Sequence, residues 1–189
     1  MEALQQRIIK EGRILPGNIV KVDGFLNHQV DARFLGQIAE EIARQFDLTG
    51  VTKVLTAEAS GIPLATVCAY QYGVPMVFAK KAKSDNIEGG LYKSETFSYT
   101  YHKKVTLICS QDWLKAEDKV LIVDDFMAKG NAMRGLLDIV KMSGAELMGI
   151  ACAIEKGFQG GGDQLRQEGY PLKSLAIIDK ADENGFVFR

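Results

Sequence analysis

Two adjacent carboxylates, Asp124 and Asp125, directly follow an apolar run at 120–123, and a loop of small and polar residues at 128–132 comes next. Two anions side by side repel each other, and burying either one without partners is costly. A chain that places such a pair at the end of a core strand is expected to bind something there. The loop leads into a helical pattern, and the free backbone amides at a helix N-terminus favour an anion such as phosphate.

The same segment favours a sugar phosphate as the ligand. Gly130 allows the backbone to approach a ligand closely, and acceptor-only carboxylates suit the vicinal hydroxyls of a ribose. Two other interpretations of these residues stay open, namely a solvated acid pair before an ordinary turn and an acid pair that holds Mg²⁺ directly. Because the chain has no GxxxxGK[ST] run and no GxGxxG after its first strand, P-loop and dinucleotide-binding folds are disfavoured.

A regular alternation of strands and helices must position these residues. Apolar segments without polar alternation indicate parallel strands that are covered on both faces by helices. The predicted strands lie at 52–57, 75–79, 119–123, 147–154 and 175–178, the last of them ending the sheet, and the predicted helices lie at 61–72, 131–142 and 163–168. In such a sheet, ligands bind outside the carboxyl ends of the strands. The segments predicted at those ends are 58–61, 80–81, 124–132 and 155–162.

Two regions depart from this alternation. Near the N-terminus, the pattern predicts helices at 3–12 and 31–46, the second with Asp31 as N-cap, and a strand at 18–22. The segment 80–104 is polar and then alternates, which predicts a strand or hairpin after a mobile loop. Loops of this length inside a compact domain are frequently lids, and a plain exposed hairpin is an equal alternative.

Composition bounds the class of protein. The chain has 189 residues, with 23 Lys and Arg against 24 Asp and Glu, so no overall basic field favours nucleic acid. Its three isolated cysteines and two histidines disfavour a zinc site and favour buried thiols in a reducing compartment. No signal peptide or membrane-length apolar run occurs. We therefore expect a cytoplasmic protein with neither a nucleic-acid nor a membrane partner, built as one domain over 1–189.

The run VLIVDDFMAKGNA closely resembles the thirteen-residue PRPP-binding motif of type I phosphoribosyltransferases. Together with FLNHQVD, TAEASGIPLA, VFAKKAKS and IEKGFQGG, the resemblance extends over nearly the whole chain and favours the bacterial purine-salvage branch that uses xanthine. It implies an α/β fold with a mainly parallel sheet flanked by helices, a flexible hood loop, and a small base-binding hood formed by N- and C-terminal parts. Within the single domain, the resemblance implies an N-terminal hood and helix region at 1–50 and a core at 51–189. It also implies a homodimer that transfers the ribosyl 5-phosphate of PRPP to a purine nitrogen and releases pyrophosphate, with Mg²⁺ bound with PRPP and no metal ligands from the protein.

The resemblance also implies a role for each site residue. Asp124 and Asp125 match the acids that meet the ribose hydroxyls, and the segment 84–99 matches the flexible hood. The 5′-phosphate loop comprises Ala128, Lys129, Gly130, Asn131 and Ala132. The pyrophosphate site comprises Glu58, Ala59, Ser60, Gly61 and Lys81; in this family its loop frequently contains a non-proline cis peptide, and the basic residue frequently acts across a dimer interface. The xanthine site comprises Val20, Asn27, Lys156 and Phe158.

The implied chemistry fits these residue types. Departure of pyrophosphate leaves a ribosyl centre with oxocarbenium character, so catalysis depends on positioning and electrostatics rather than on a nucleophile. By resemblance, Lys156 donates to a 6-oxo group or favours an anionic purine, Asn27 suits the 2-oxo edge, and Phe158 stacks on the base.

Several alternatives stay open at the level of single residues. Lys156 could equally be an ordinary surface lysine, Asn27 a turn residue, and Phe158 a side chain that anchors its loop in the core. In the family, the position of Val20 is commonly leucine. Lys129 either adds charge to the 5′-phosphate or points to solvent. The alternative functions are a guanine or hypoxanthine enzyme of the same class and a PRPP-sensing transcriptional regulator of the same fold.

Overall fold

The elements come from a computed structural model, which describes residues 1–81, 89–98 and 103–189. The helices are α1 (Glu2–Glu11), α2 (Ala32–Gln45), α3 (Ile62–Tyr72), α4 (Asn131–Ser143) and α5 (Gly161–Gln167). The strands are β1 (Arg13–Leu15), β2 (Ile19–Lys21), β3 (Lys53–Ala57), β4 (Met76–Ala79), β5 (Leu91–Ser98), β6 (Lys103–Ser110), β7 (Lys119–Met127), β8 (Glu146–Lys156), β9 (Leu172–Asp182) and β10 (Gly185–Phe188). No helix among the described residues is long and apolar enough to cross a membrane.

The central sheet has the strand order β10-β9-β8-β7-β3-β4, in which every pair is parallel except β10 with β9. Successive residues of β7 face opposite sides. Leu121 and Val123 join a core cluster with α1, α2 and α3, whereas Val120 and Ile122 join a cluster with α4 and α5. Both faces of the sheet are therefore covered, which explains why the first half of β7, at 120–123, is apolar without alternation, and this confirms the predicted architecture.

Two predicted boundaries were wrong, and one strand was not predicted. The sheet does not end at 178, because β9 runs to Asp182 and β10 then returns antiparallel along the edge. A short strand, β1, pairs with β2 in a hairpin that the sequence did not predict. Strand β7 continues past Val123 through Met127, since its pairing with β8 persists to Met127 opposite Glu155. The acid pair therefore lies inside a strand rather than after it.

The insertion after β4 contains the predicted hairpin, which is formed by β5 and β6. This hairpin packs on α4, where Ser94 Oγ donates to Asp138 Oδ2 at 2.8 Å and Thr96 Oγ1 donates to the Asn131 carbonyl at 2.8 Å. The predicted mobile loop, and part of the hood expected at 84–99, fall on 82–88 and 99–102, outside the described residues.

An arginine of α1 joins that helix to the turn before α2 and to the start of α2. The Arg7 guanidinium lies 5.1 Å from the Phe25 ring centroid and 4.8 Å from that of Phe34, and it pairs with Asp31 at 2.6 Å. Asp31 also caps α2 by accepting from the Phe34 amide at 3.1 Å, as predicted. These contacts hold the turn between β2 and α2, which carries Asn27, against the core.

Candidate functional site

A cleft of about 250 Å³ opens at the carboxyl ends of four neighbouring parallel strands, β8, β7, β3 and β4. It brings together most of the side chains that the sequence predicted for a site. Those lining it are Glu58, Ser60, Lys81, Asp124, Asp125, Ala128, Lys129, Gly130, Asn131, Ala132 and Lys156. Residues from four separate segments of the sequence thus share one cleft, as expected where parallel strands end together, although the predicted site residues Ala59, Gly61 and Phe158 do not line it.

The carboxylate pair forms the floor of this cleft and is almost fully buried, with Asp124 7% and Asp125 2% exposed. Asp125 accepts from Asn27 Nδ2 at 2.9 Å through Oδ2 and from Ser60 Oγ at 2.9 Å through Oδ1. Asp124 Oδ1 accepts from the Asp125 amide at 3.0 Å. Asp125 therefore connects the N-terminal turn to the loop after β3.

Burial sets the electrostatics of the cleft. It raises the pKa of Asp124 well above the usual aspartate range, and the neighbouring Asp125 carboxylate raises it further, while Lys81 opposes the shift. Burial lowers the pKa of Lys156, and the Asp125 carboxylate acts against that shift. The Lys156 ammonium also lies 5.2 Å from the centroid of the Phe126 ring. A partly desolvated cation thus shares the cleft with two acids.

The loop at 58–61 connects β3 to α3 and packs directly against the acids. A Cβ at Gly61 would lie 2.2 Å from Thr56 Oγ1 and 2.5 Å from Asp124 Oδ1, so only glycine fits there. The Glu58–Ala59 peptide is cis, the feature implied by the family resemblance. The Lys81 amide donates to Glu58 Oε1, and this bond joins the ends of β3 and β4.

The loop at 128–132 ends in α4. Gly130 caps that helix with a φ of 79°, a left-handed conformation that favours glycine. The Thr96 bond to the Asn131 carbonyl holds the start of the helix against the hairpin. The start of this 13-residue helix lines the cleft, and the free amides of a helix N-terminus suit an anion.

The residues predicted for the base are not all brought together. Lys156 lines the cleft. Asn27 donates a hydrogen bond to Asp125, and the Asp125 carboxylate also interacts electrostatically with Lys156. Phe158 is 38% exposed on a 3₁₀ turn at Gly157–Gln159 and is not part of the cleft lining. Val20 is 6% exposed and packs into the core cluster shared with α1, α2 and α3.

Sequence reasoning missed Thr56. Its side chain is fully buried beneath Gly61, and Oγ1 has no hydrogen-bond partner among the described residues. A threonine inside an otherwise apolar strand, two residues before the 58–61 loop, was the available signal.

Ligands for a metal ion are few here. In the described part of the chain, no three His, Cys, Asp or Glu side chains come close enough to form a metal site. The acid pair supplies carboxylate oxygens in the cleft, and both of its members already accept hydrogen bonds.

A sequence model for the phosphoribosyl transferase domain matches residues 23–188, and the chain belongs to the phosphoribosyltransferase family. Its fold is the type I phosphoribosyltransferase fold. Among solved structures, APRTase from Giardia lamblia complexed with 9-deazaadenine superimposes with a TM-score of 0.78 at 21% identity, covering 92% of this chain and 96% of that one.

Relatives with closer sequences carry a more specific name. The xanthine phosphoribosyltransferase of Ruminiclostridium cellulolyticum is 49% identical over 185 residues, which are 98% of this chain and 97% of the relative. The xanthine phosphoribosyltransferase of Lachnoclostridium phytofermentans is 48% identical over 191 residues, covering 100% of this chain and 98% of the relative.

Proposed function

We propose that this protein transfers the 5-phosphoribosyl group of PRPP to xanthine, forming XMP and pyrophosphate. The observation that carries the proposal is the single cleft that gathers the acid pair, the 128–132 loop, Lys81 and Lys156. The full-length relatives named xanthine phosphoribosyltransferase support the choice of base.

PRPP extends across the cleft in this proposal. Its 5′-phosphate binds the amides of the 128–132 loop at the start of α4, and its pyrophosphate binds the 58–61 loop and Lys81. Mg²⁺ enters as part of the Mg–PRPP substrate and neutralises charge on the pyrophosphate. The ribose hydroxyls donate to the acid pair. A carboxylate offers about four lone-pair sites, so Asp125 keeps acceptor capacity while Asn27 and Ser60 hold it in place.

Catalysis follows from this placement. As the bond to pyrophosphate breaks, positive charge develops on the ribosyl ring close to Asp124 and Asp125, whose buried carboxylates stabilise it in a water-poor environment. Lys81 and the loop amides stabilise the negative charge on the leaving group. The purine nitrogen then attacks the opposite face of the sugar, so no protein nucleophile is required.

Lys156 and Asn27 select the base. A lysine ammonium donates only, so it suits the 6-oxo group of xanthine and not the 6-amino group of adenine. Its lowered pKa reflects burial, which strengthens its interaction with an oxo group or an anionic purine. Donation to Asp125 orients the Asn27 amide and leaves its carbonyl oxygen to accept from the base.

We place the enzyme in the cytoplasm as a homodimer, with the whole chain as one folding unit and residues 1–50 contributing to the base-binding hood. Buried free thiols at Cys68, Cys109 and Cys152 support a reducing compartment. The core cluster that joins N-terminal residues to the sheet supports a single unit.

A base-competition assay tests the proposed specificity. Purified protein with Mg–PRPP is given xanthine, guanine, hypoxanthine and adenine together, and the nucleotides are separated. We expect XMP to dominate and AMP to be absent. Predominant GMP or IMP would assign the enzyme to a different oxopurine, and PRPP-dependent DNA binding without turnover would indicate a regulator.

A further inference from the structure

The back of the 128–132 loop is in direct contact with the start of α5. A Cβ at Gly161 would lie 2.4 Å from the Ala128 carbonyl oxygen and 2.6 Å from the Gly130 amide nitrogen. A Cβ at Gly130 would in turn lie 3.7 Å from Gly161 Cα and 3.5 Å from Leu165 Cδ1. Because the two backbones touch without intervening side chains, a shift of α5 toward the loop would have to displace the loop.

An ion pair between a fully buried carboxylate and a partly buried arginine holds α5 against the end of β8. Glu155 is fully buried, and Arg166 donates to Oε1 at 3.1 Å through Nη1 and to Oε2 through Nη2. Ser174 Oγ also donates to Oε2. A Cβ at Gly162 would lie 2.1 Å from Glu155 Oε1, so the carboxylate lies flat against the first turn of the helix.

This arrangement also reaches the other end of the cleft. Glu155 immediately precedes Lys156 at the end of β8, and Ser174 lies on β9. The pair therefore ties the strand that presents Lys156 to the helix that supports the 128–132 loop.

Energetics favour a positioning role for this pair over a purely stabilising one. Replacing a buried ion pair by apolar residues is frequently neutral or stabilising, because desolvation offsets the Coulomb attraction. A forked arginine–carboxylate pair instead fixes distance and orientation. A phosphate site needs its amides held within a fraction of an ångström of the productive geometry.

We propose that Glu155 and Arg166 are positioning residues that act through Gly161 and Gly162 to preorganise the 128–132 loop for the sugar phosphate. This inference rests on the proposed function. It predicts that a substitution that disturbs the contact between α5 and the 128–132 loop weakens binding of a 5′-phosphate. Binding of pyrophosphate at the 58–61 loop should stay unchanged.

Calorimetric titration with two separate probes tests the inference. Ribose 5-phosphate reports on the 128–132 loop, and Mg–pyrophosphate reports on the 58–61 loop. For Gly161→Ala, whose Cβ must displace the loop, we expect the Kd for ribose 5-phosphate to rise by about tenfold or more, as for loss of one charge-assisted hydrogen bond. The Kd for Mg–pyrophosphate should change less than about twofold.

Gly36→Ala provides the matched control, because Gly36 lies within α2 and its Cβ would meet only the Gln71 amide, at 3.4 Å. Both of its dissociation constants should stay at the wild-type values. Equal losses for both probes in Gly161→Ala, or no loss for either, would overturn the inference. Wild-type protein that binds neither probe would overturn the proposed function as well, so the two failures are distinguishable.

Glu155→Gln keeps the inference testable if Gly161→Ala does not fold. This variant keeps the shape of the side chain and removes its charge, so we expect a rise of about threefold to tenfold in the Kd for ribose 5-phosphate alone. Its control is Glu168→Gln, which breaks an exposed bidentate pair between Glu168 and Arg134. Exposed pairs contribute little, so both dissociation constants should stay unchanged in the control. Equal effects of the two variants would contradict the positioning role.

Discussion

Asp125 receives hydrogen bonds from side chains 98 and 65 positions away along the chain, those of Asn27 and Ser60. These bonds hold a nearly buried carboxylate at one orientation before any substrate arrives. Such preorganisation is the main source of electrostatic catalysis, because the site does not have to reorganise as charge develops. The proposed chemistry should therefore be most sensitive to substitutions of the acid pair.

Substitution of Asp125 by asparagine tests that dependence. The amide is neutral, and its NH₂ group cannot accept from Asn27, Ser60 or a ribose hydroxyl. We expect kcat with Mg–PRPP and xanthine to fall by about a hundredfold or more, with a far-ultraviolet circular dichroism spectrum like that of the wild type. Activity within a few fold of wild type would remove the ribose role of Asp125.

Asp124 gives a stability prediction whose sign follows from its raised pKa. The native state binds the Asp124 proton more tightly than the unfolded state does. The free energy of unfolding therefore falls as pH rises from the ordinary value of 3.8 through the native pKa, and the loss is complete above it. Asp124→Asn removes this penalty.

We expect Asp124→Asn to resist urea better than the wild type at pH 7, with a difference that shrinks as the pH is lowered toward 3.8. Turnover should be lost at the same time. If Asp124→Asn is less stable than the wild type at pH 7, the interactions of the charged carboxylate must outweigh the cost of removing it from water.

Lys156→Ala tests the base contact. The variant loses the donor to the 6-oxo group, so we expect the KM for xanthine to rise by about tenfold or more while the KM for PRPP changes little. Lys173→Ala, at an exposed position on β9, is the control. Unchanged kinetics toward xanthine in Lys156→Ala would exclude the contact.

The elements differ in how far the sequence predicts them. Strands β3, β7 and β8 are buried on both faces, and each leaves a mostly apolar run in the sequence that predicts a strand. The short strands β1 and β10 lie outside those runs and contain mixed or half-exposed residues, so they leave no comparable pattern. The extension of β7 through Asp124 and Asp125 could not be predicted, since carboxylates in a strand are tolerated only through tertiary contacts such as those of Asn27 and Ser60.

Strand β3 contains the clearest unexplained polar group, the Thr56 hydroxyl. A buried hydroxyl without a partner costs about 1–3 kcal/mol. Thr56→Val replaces it with a methyl group of similar shape, so we expect the free energy of unfolding to rise by about 1 kcal/mol. Urea denaturation of the ligand-free protein measures this change.

Thr52→Val is the matched control for that experiment. The Thr52 hydroxyl donates to Asp118 Oδ1 at 2.9 Å and accepts from the Lys119 amide at 2.9 Å. The same substitution there should lower the free energy of unfolding by about 1–3 kcal/mol. A loss of stability in Thr56→Val as well would show that Oγ1 of Thr56 is hydrogen-bonded in solution.

At the scale of the whole molecule, one core cluster includes Leu4, Ile8 and Phe25 from the N-terminal region together with Leu121 and Val123 of β7. Because these residues share contacts, we expect the chain to unfold in a single transition. Mg–PRPP at a hundredfold excess over its Kd should stabilise the protein by about 2.7 kcal/mol and raise Tm by roughly 5–10 °C. Two calorimetric transitions, with only the second shifted by ligand, would contradict a single folding unit.

The general location of the site could be predicted because parallel strands bring their carboxyl ends to one edge. Its internal contacts could not be predicted. The bond between Asn27 and Asp125 joins an N-terminal turn to the central strand, and the burial of Val20 depends on how a three-residue strand packs on the core. Such contacts depend on tertiary packing, which leaves no periodic pattern in the sequence.

If this cleft joins the ribosyl 5-phosphate of PRPP to xanthine, XMP and pyrophosphate must form together. Both products can be measured simultaneously with the purified protein, Mg–PRPP and xanthine. We expect equal amounts of the two products at all times, with neither formed when xanthine is omitted. Pyrophosphate release without XMP, or no product with any purine base, would exclude the proposed transfer.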